Sequence, residues 1–211
     1  MPQTASTTRQ EAAAQNRARV LVAARQLFVN SGFDAVKASD IARAAGVAHG
    51  SVFHHFGSKQ ALYEAVVCEI GREMIALHVT DPAIPLGQRI RQSHAAHLNY
   101  LATHRDVALH LGLRPTPTQL SGPEAIRDEG NRVLAENLGL DFDLPAVRLA
   151  VRLYNAAADQ LAMDYLTSPH GFEPDDVVEA LVTVLTGALR AVEVLDPSQA
   201  LGPVIEALDQ R

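Results

Sequence analysis

Between Ala38 and Phe56 two short helical patterns are folded around one glycine, and no other feature of the chain restricts its fold as strongly. Ile41, Ala42 and Ala45 share one side of a first helix over Ala38–Ala45, and Val47 and Val52 anchor a second over about 49–55. Ala42 and Ala45 are small enough for the second helix to cross close over the first. Gly46 admits the positive backbone dihedral that a tight turn requires. The same periodicity that turns Val52 inward leaves His49, Ser51, His54 and His55 outward. A helix with a free polar face fits the DNA major groove, where its first residues reach base edges.

The rest of the chain reads as helices. Residues 1–10 are small and polar and are expected to form a flexible arm. Val20, Ala23, Ala24, Leu27 and Phe28 mark an amphipathic helix from Glu11 to Asn30, which Ser31-Gly32 should end. Ser58 is placed to cap a long helix from Lys59 to about Val79. After the linker Asp81-Pro82-Ala83-Ile84-Pro85 come helices at about 86–103 and 105–113, then a loop rich in Pro and Thr from Arg114 to Pro123. Further helices follow at about 123–138, 145–167, 174–195 and 198–210, the one after Pro174 carrying Asp175 and Asp176 where the helix dipole favours acids. No segment alternates with period two for long enough to form a strand, and no repeat is present. The expected class is all-α: a three-helix helix-turn-helix domain over 11–58, then a helical ligand-binding and dimerisation bundle over 59–211.

The net charge of −6 speaks against nucleic acid only until its distribution is considered. Residues 1–64 hold seven Lys or Arg against four acids, a net +3, and the remainder carries −9. Both lysines, Lys37 and Lys59, lie in the first part together with His49, His54 and His55. A basic head on an acidic body is the footprint expected of a nucleic-acid binder. No apolar run approaches the ~18 residues that span a membrane, and MPQTASTTRQ lacks the apolar centre of a secretory signal, so a cytoplasmic protein is expected. The single cysteine, Cys68, suits a reducing compartment.

The head resembles the TetR (tetracycline repressor) family of bacterial regulators. The matching landmarks are Arg17-Ala-Arg-Val-Leu-Val-Ala-Ala-Arg-Gln-Leu-Phe28, Gly32-Phe33, Ser39-Asp-Ile-Ala-Arg-Ala-Ala-Gly-Val47, Gly50-Ser51-Val52-Phe53-His54-His55-Phe56 and Ser58-Lys59-Gln-Ala-Leu62. The resemblance implies that His49, Gly50 and Ser51 open the recognition helix, that His54 faces the groove, and that His55 and Lys59 contact phosphate. At Lys59 the cation and the helix N-terminus would share one phosphate. Two positions depart from the pattern. Phe53 stands where a tyrosine hydroxyl is usual, and packing between the third and fourth helices is its expected role. Lys37 replaces the usual Ser or Thr cap and can instead reach a phosphate directly.

The resemblance also implies a dimer, a palindromic operator and a small-molecule effector that releases it, a repressor's behaviour. An activator or a ligand-independent regulator is the alternative. The helix at 174–195 is apolar over more of its surface than one core requires. Leu181, Val184, Leu185, Ala188, Leu189 and Val192, with Val147, Val151, Tyr154 and Ala158 of the preceding helix, are therefore the expected dimer interface, as a four-helix bundle about a two-fold axis. Candidate effector-lining residues are His94, His97, Leu98, Tyr100, Leu101, Asn155, Asp159 and Met163. His94 and His97 have a spacing that permits a metal, but no Cys or acid converges on them in the sequence, so neither metal nor cofactor is expected. An all-helical enzyme is the competing class. No nucleophile–base spacing, phosphate loop or metal signature supports it.

Overall fold

The structure, a computed structural model, describes residues 3–112, 121–168 and 171–210, with the backbone alone for 3–9, 112 and 121. In chain order the helices are α1 (Gln3–Ala35), α2 (Ala38–Ala45), α3 (His49–Phe56), α4 (Lys59–Ala76), α5 (Leu86–Thr103), α6 (Arg105–Val107), a π-helical turn (Ala108–Gly112), α7 (Ser121–Asn137), α8 (Pro145–Thr167), α9 (Pro174–Leu195) and α10 (Gly202–Asp209). Among the described residues there is no strand, so the all-α class stands. Also among them, no helix is long and apolar enough to cross a membrane. The loop expected from Arg114 to Pro123 lies, up to residue 120, outside the described residues.

Three expectations are corrected. The arm is not separate: α1 runs back to Gln3, because nothing in Thr4-Ala5-Ser6-Thr7-Thr8-Arg9-Gln10 interrupts a helix. Gly32 does not end α1 but kinks it, with φ 74° and ψ 166°, and the path continues to Ala35. At the other end α10 starts at Gly202, not 198. Asp196 accepts bonds from the Ser198 amide (3.2 Å) and hydroxyl (2.6 Å), a local turn that competes with helix.

The chain divides into two compact units, Met1–Ile70 with His110–Pro123, and Gly71–Leu109 with Glu124–Arg211. In the first, α1 packs on α2 and α3, and the fully buried side chains are Val20, Ala24, Phe28, Ile41, Val52, Leu62 and Val66. Ser58 caps α4 as expected, its Oγ accepting from the Ala61 amide at 3.0 Å. In the second unit α9 packs along α8 and α5, and α10 closes against α5 and α9. One core runs through these helices and α7, centred on Val147, Tyr154, Leu185, Leu189, Val192 and Leu208.

The closure of α10 depends on a glycine. A Cβ added to Gly87 would stand 2.6 Å from the Ala207 carbonyl oxygen and closer still to that of Gln210. Beside it the Arg91 guanidinium donates to the Leu208 and Gln210 carbonyls (2.9 and 3.2 Å) and grips the Glu179 carboxylate of α9 at 2.7 and 3.1 Å. Gly87→Ala must displace backbone, not a flexible side-chain tip. The expected loss is about 2–3 kcal/mol of unfolding free energy in urea titration, the upper part of the ordinary overpacking range.

Candidate DNA-binding surface and the polar core of the body

The candidate recognition surface is built on α3. Gly46 ends α2 in the left-handed conformation (φ 63°, ψ 38°), and the Gly46 and Val47 amides return to the Arg43 and Ala42 carbonyls at 3.2 and 3.0 Å. That turn sends α3 across α2 with Val52 wholly buried beneath it. Around Val52, His49, Gly50, Phe53 and His54 are exposed, and Ser51 and His55 are half-buried. No side chain caps the first-turn amides of α3, whose cap position is Ala48.

Phe53 departs from its expected packing role. It is 43% exposed and lies edge-on to His49, ring centres 5.5 Å apart, so it adds an apolar patch to the outer face. His54 and His55 stand ring to ring at 5.3 Å, and the Arg17 guanidinium lies over Phe56 at 4.9 Å. Lys37 is exposed at the start of α2 and makes no side-chain cap bond, as expected of a residue that cannot accept one.

Lys59 is placed differently from its neighbours. Its ammonium donates to the carbonyls of Phe33 (3.0 Å) and Val36 (3.1 Å) and sits 4.2 Å from the centre of the Phe33 ring. Phe33 in turn packs against Phe28 and Tyr63, ring centres 6.0 and 5.1 Å away.

In the second unit, the residues expected to line a pocket are engaged with one another. His94 is buried on α5, and its Nε2 is 2.9 Å from the Tyr154 hydroxyl. His97 Nδ1 is 2.8 Å from His78 Nε2, and His78 Nδ1 is 2.5 Å from the Ser93 hydroxyl, which makes a continuous chain. The backbone around His78 is held as well: Asn137 of α7 donates to its carbonyl at 2.7 Å. Burial pushes His78 down to about 4 and both His94 and His97 down to about 3, with the neighbouring imidazoles adding to the last two and Arg91 adding to His94. The same burial raises the Tyr154 hydroxyl.

Tyr100 donates to Glu73. Asn155 donates to Asn131 at 2.5 Å and Asp159 pairs with Arg127 at 2.7 Å, so both tie α8 to α7. Leu98 and Leu101 are buried, Leu98 against Val177, Val178 and Leu181, and Met163 is half-buried. Among the described residues no three His, Cys, Asp or Glu side chains converge as metal ligands.

Most of the residues expected at a dimer interface are turned into the protomer. Val147, Val151, Tyr154, Leu181, Leu185, Leu189 and Val192 are buried within the protomer's own core, and Ala158, Val184 and Ala188 pack against it half-buried. The faces of the same helices turned to solvent are Leu149, Leu153, Ala156 and Ala157 on α8 and Thr183, Gly187, Arg190 and Val194 on α9.

Residues 20–66, covering the turn and both of its helices, match the family model described as bacterial regulatory proteins, tetR family. Its helix-turn-helix segment is thus similar to that of the tetR family. Among curated relatives, it is 35% identical over 60 residues to the HTH-type transcriptional regulator UidR of Escherichia coli, covering 28% of this chain and 31% of UidR. It is 31% identical over 100 residues to the HTH-type transcriptional repressor Rv1474c of Mycobacterium tuberculosis, covering 46% and 52%. The similarity thus spans about a third to a half of these proteins. A tetR-family regulator from Streptomyces coelicolor superposes with a TM-score of 0.73 at 20% identity, over 92% of this chain and 88% of that one. FadR from Bacillus subtilis, solved with stearoyl-CoA, gives 0.63 at 18% identity, over 80% and 96%. At such identities the solved structures carry the fold alone.

Two parts of the chain's polar design have no signal in the residue pattern. His78 escaped notice because it lies in the turn after α4, where its amide bonds to the Ile75 carbonyl, and has no helical partner at three or four residues. The carbonyl partners of Lys59 had no signal at all, since backbone atoms leave no trace in residue types.

Proposed function

We propose that the chain is a transcriptional regulator that binds a palindromic DNA operator as a homodimer and is released by a small-molecule effector. The observation that carries this reading is the outward row of α3, held over a buried Val52 within the segment that matches the tetR family. His49 and His54 would read base edges, and Gly50 would let the backbone approach closely. Ser51 and His55 would bond phosphate, and exposed Phe53 would offer apolar contact to a thymine methyl. Lys37 would meet a phosphate at the start of α2. This is a binder's surface, not a catalyst's, and it acts beside the chromosome, in the cytoplasm.

A monomer with one such helix covers too few base pairs for useful specificity, which favours two half-sites. The exposed row Leu149, Leu153, Ala156 and Ala157 with Thr183 and Gly187 is the face that would meet the second copy. An effector would enter near half-buried His97, Tyr100 and Met163 and would have to displace the internal pairs described above. A repressor's behaviour is supported by the name of Rv1474c.

The test is selection of bound sequences from random DNA, followed by affinity measurement on the recovered site. Wild type should enrich an inverted repeat. His54→Ala should cost about 1–3 kcal/mol on that site, roughly five- to 150-fold in Kd, with a smaller loss on scrambled DNA. Failure to enrich any sequence rejects the reading.

A further inference from the structure

We propose that two copies of the chain pair through α9 in one antiparallel register centred on Thr183. In it, Asp176 of each copy meets the partner's Arg190, and Phe172 meets the partner's Val194. The inference rests on the homodimer reading above. Within the protomer, α9 packs on α8, α5 and α10. The side they leave uncovered carries Asp176, Ala180, Thr183, Gly187, Arg190 and Val194, all exposed except the half-buried Ala180. Their spacing alternates four residues and three. Such a row stays on one face over about five turns, and it meets a partner along its whole length only if that partner is a helix running nearly along it.

A two-fold contact is isologous: where one residue meets a second, the second meets the first. A helix lying antiparallel on its own copy therefore pairs residues that are equally far from the one at the axis. Asp176 and Arg190 each lie seven residues from Thr183 and carry opposite charges. Among the described residues neither has an ion pair in the protomer. Phe172, just before α9, and Val194, near its end, each lie eleven residues from Thr183. Both are apolar and exposed, 56% and 81%.

At 1.5 Å per residue, Phe172 and Val194 of one chain stand roughly 30 Å apart. A second, reversed copy brings them together. Between the outer pairs the side chains are small. Ala180 falls beside the partner's Gly187, where an added Cβ would have nothing within 4 Å in the protomer, so the helices can approach closely. A centre one turn away, at Ala180 or Gly187, gives neither Asp176 nor Arg190 an opposite charge. The exposed leucines of α8 supply apolar area to the same face, and the charges select the register.

The experiment uses the full-length protein alone. Dimer dissociation constants are measured by sedimentation over a dilution series at low salt for Asp176→Arg, for Arg190→Asp and for the variant carrying both. Each single change sets like charges together twice across the axis and should weaken the dimer about tenfold or more. The double exchange should return to within about threefold of wild type. Oxidation reads the geometry separately. Thr183→Cys should form a disulfide-linked dimer, because a residue at the axis lies beside its own copy. Val194→Cys should link only after mixing with Phe172→Cys, and wild type, whose single Cys68 is buried, should not link. All these positions are exposed in the protomer, so the variants keep its core. A double exchange as weak as the single changes overturns the register, and so does a dimeric Thr183→Cys that stays unlinked. A wild type that sediments as one protomer at micromolar concentration rejects the homodimer reading instead, a result distinct from both.

Discussion

Taking the protein from pH 7 to pH 5 is expected to lower its stability by several kcal/mol, before most carboxylates protonate. His78, His94 and His97 are held neutral in the folded chain, at about 4, 3 and 3, mainly because burial penalises the imidazolium. An unfolded histidine titrates near ~6.5. Between that value and the folded ones the unfolded chain binds more protons, so stability is full above ~6.5 and falls as the pH drops toward 4 and then 3. At pH 5 the loss is on the order of 2 kcal/mol for each imidazole that stays neutral, at 1.36 kcal/mol per pH unit. Three such groups rival the ~5–15 kcal/mol that a domain possesses.

The geometry leaves no cheap escape. One nitrogen of His78 meets His97 and the other meets Ser93, so a proton added to whichever histidine accepts in the His78–His97 bond turns that bond into a meeting of two donors. Arg91 adds a like charge near His94. Asp128, Asp143 and Asp196 are all held below the ordinary carboxylate range, by Arg152, by Arg132 and by Ser198 respectively, so their losses come at lower pH and leave the window from 6.5 to 5 to the histidines. Urea titrations at pH 7, 6 and 5 check this. A midpoint that stays constant over that range would mean that the three imidazoles gain protons without cost. His97→Gln keeps a side chain able to bond His78 but cannot gain a proton, and should flatten the slope by about a third.

The outline of the fold was legible because its punctuation is chemical. Pro145 and Pro174 stand at the starts of α8 and α9, Gly46 and Gly57 close α2 and α3, and Ser58 caps α4, so these boundaries follow from residue types. The head was legible for the same reason, since its turn, its small residues and its outward histidines lie within twenty positions. The faces of the body were not. α9 is apolar on two sides, and periodicity cannot say which side is inward. The structure turns Leu185 and Leu189 into the protomer and leaves Gly187 and Val194 outside. On α8 the spacing of Leu149, Leu153, Ala156 and Ala157 repeats every three or four residues and was available as a second stripe. Its side chains are no less apolar than Val147, Val151 and Tyr154, so residue type alone does not tell the core stripe from the exposed one. The polar residues failed in a similar way. Asn155 and Asp159 form a helical stripe with Arg148 and Arg152, but only the position of α7 reveals that Asn131 and Arg127 are waiting for them.

Replacing Leu153 with Glu should convert a dimer into folded monomers and abolish tight binding to a two-half-site operator. Leu153 is 54% and Leu149 46% exposed in the protomer, large apolar surface that a soluble helix bundle seldom leaves together without a partner. Fully burying a leucine contributes about 1.5–3 kcal/mol, so half of that for each of four side chains, two per protomer, supplies about 3–6 kcal/mol of association. Two glutamates brought toward a two-fold axis would forfeit Leu153's share and add the cost of desolvating two like charges. A dissociation constant raised by about a thousandfold or more is expected. Light scattering at micromolar concentration would then return one protomer mass for Leu153→Glu and two for wild type, with unchanged helical content. Leu185→Arg is the contrasting variant. Leu185 is 0% exposed in the protomer's own core, so a charge there should unfold the chain, not separate copies. A Leu153→Glu protein that remains dimeric would move the interface off the α8–α9 face. Retained dimerisation by Leu185→Arg would contradict the placement of α9 itself.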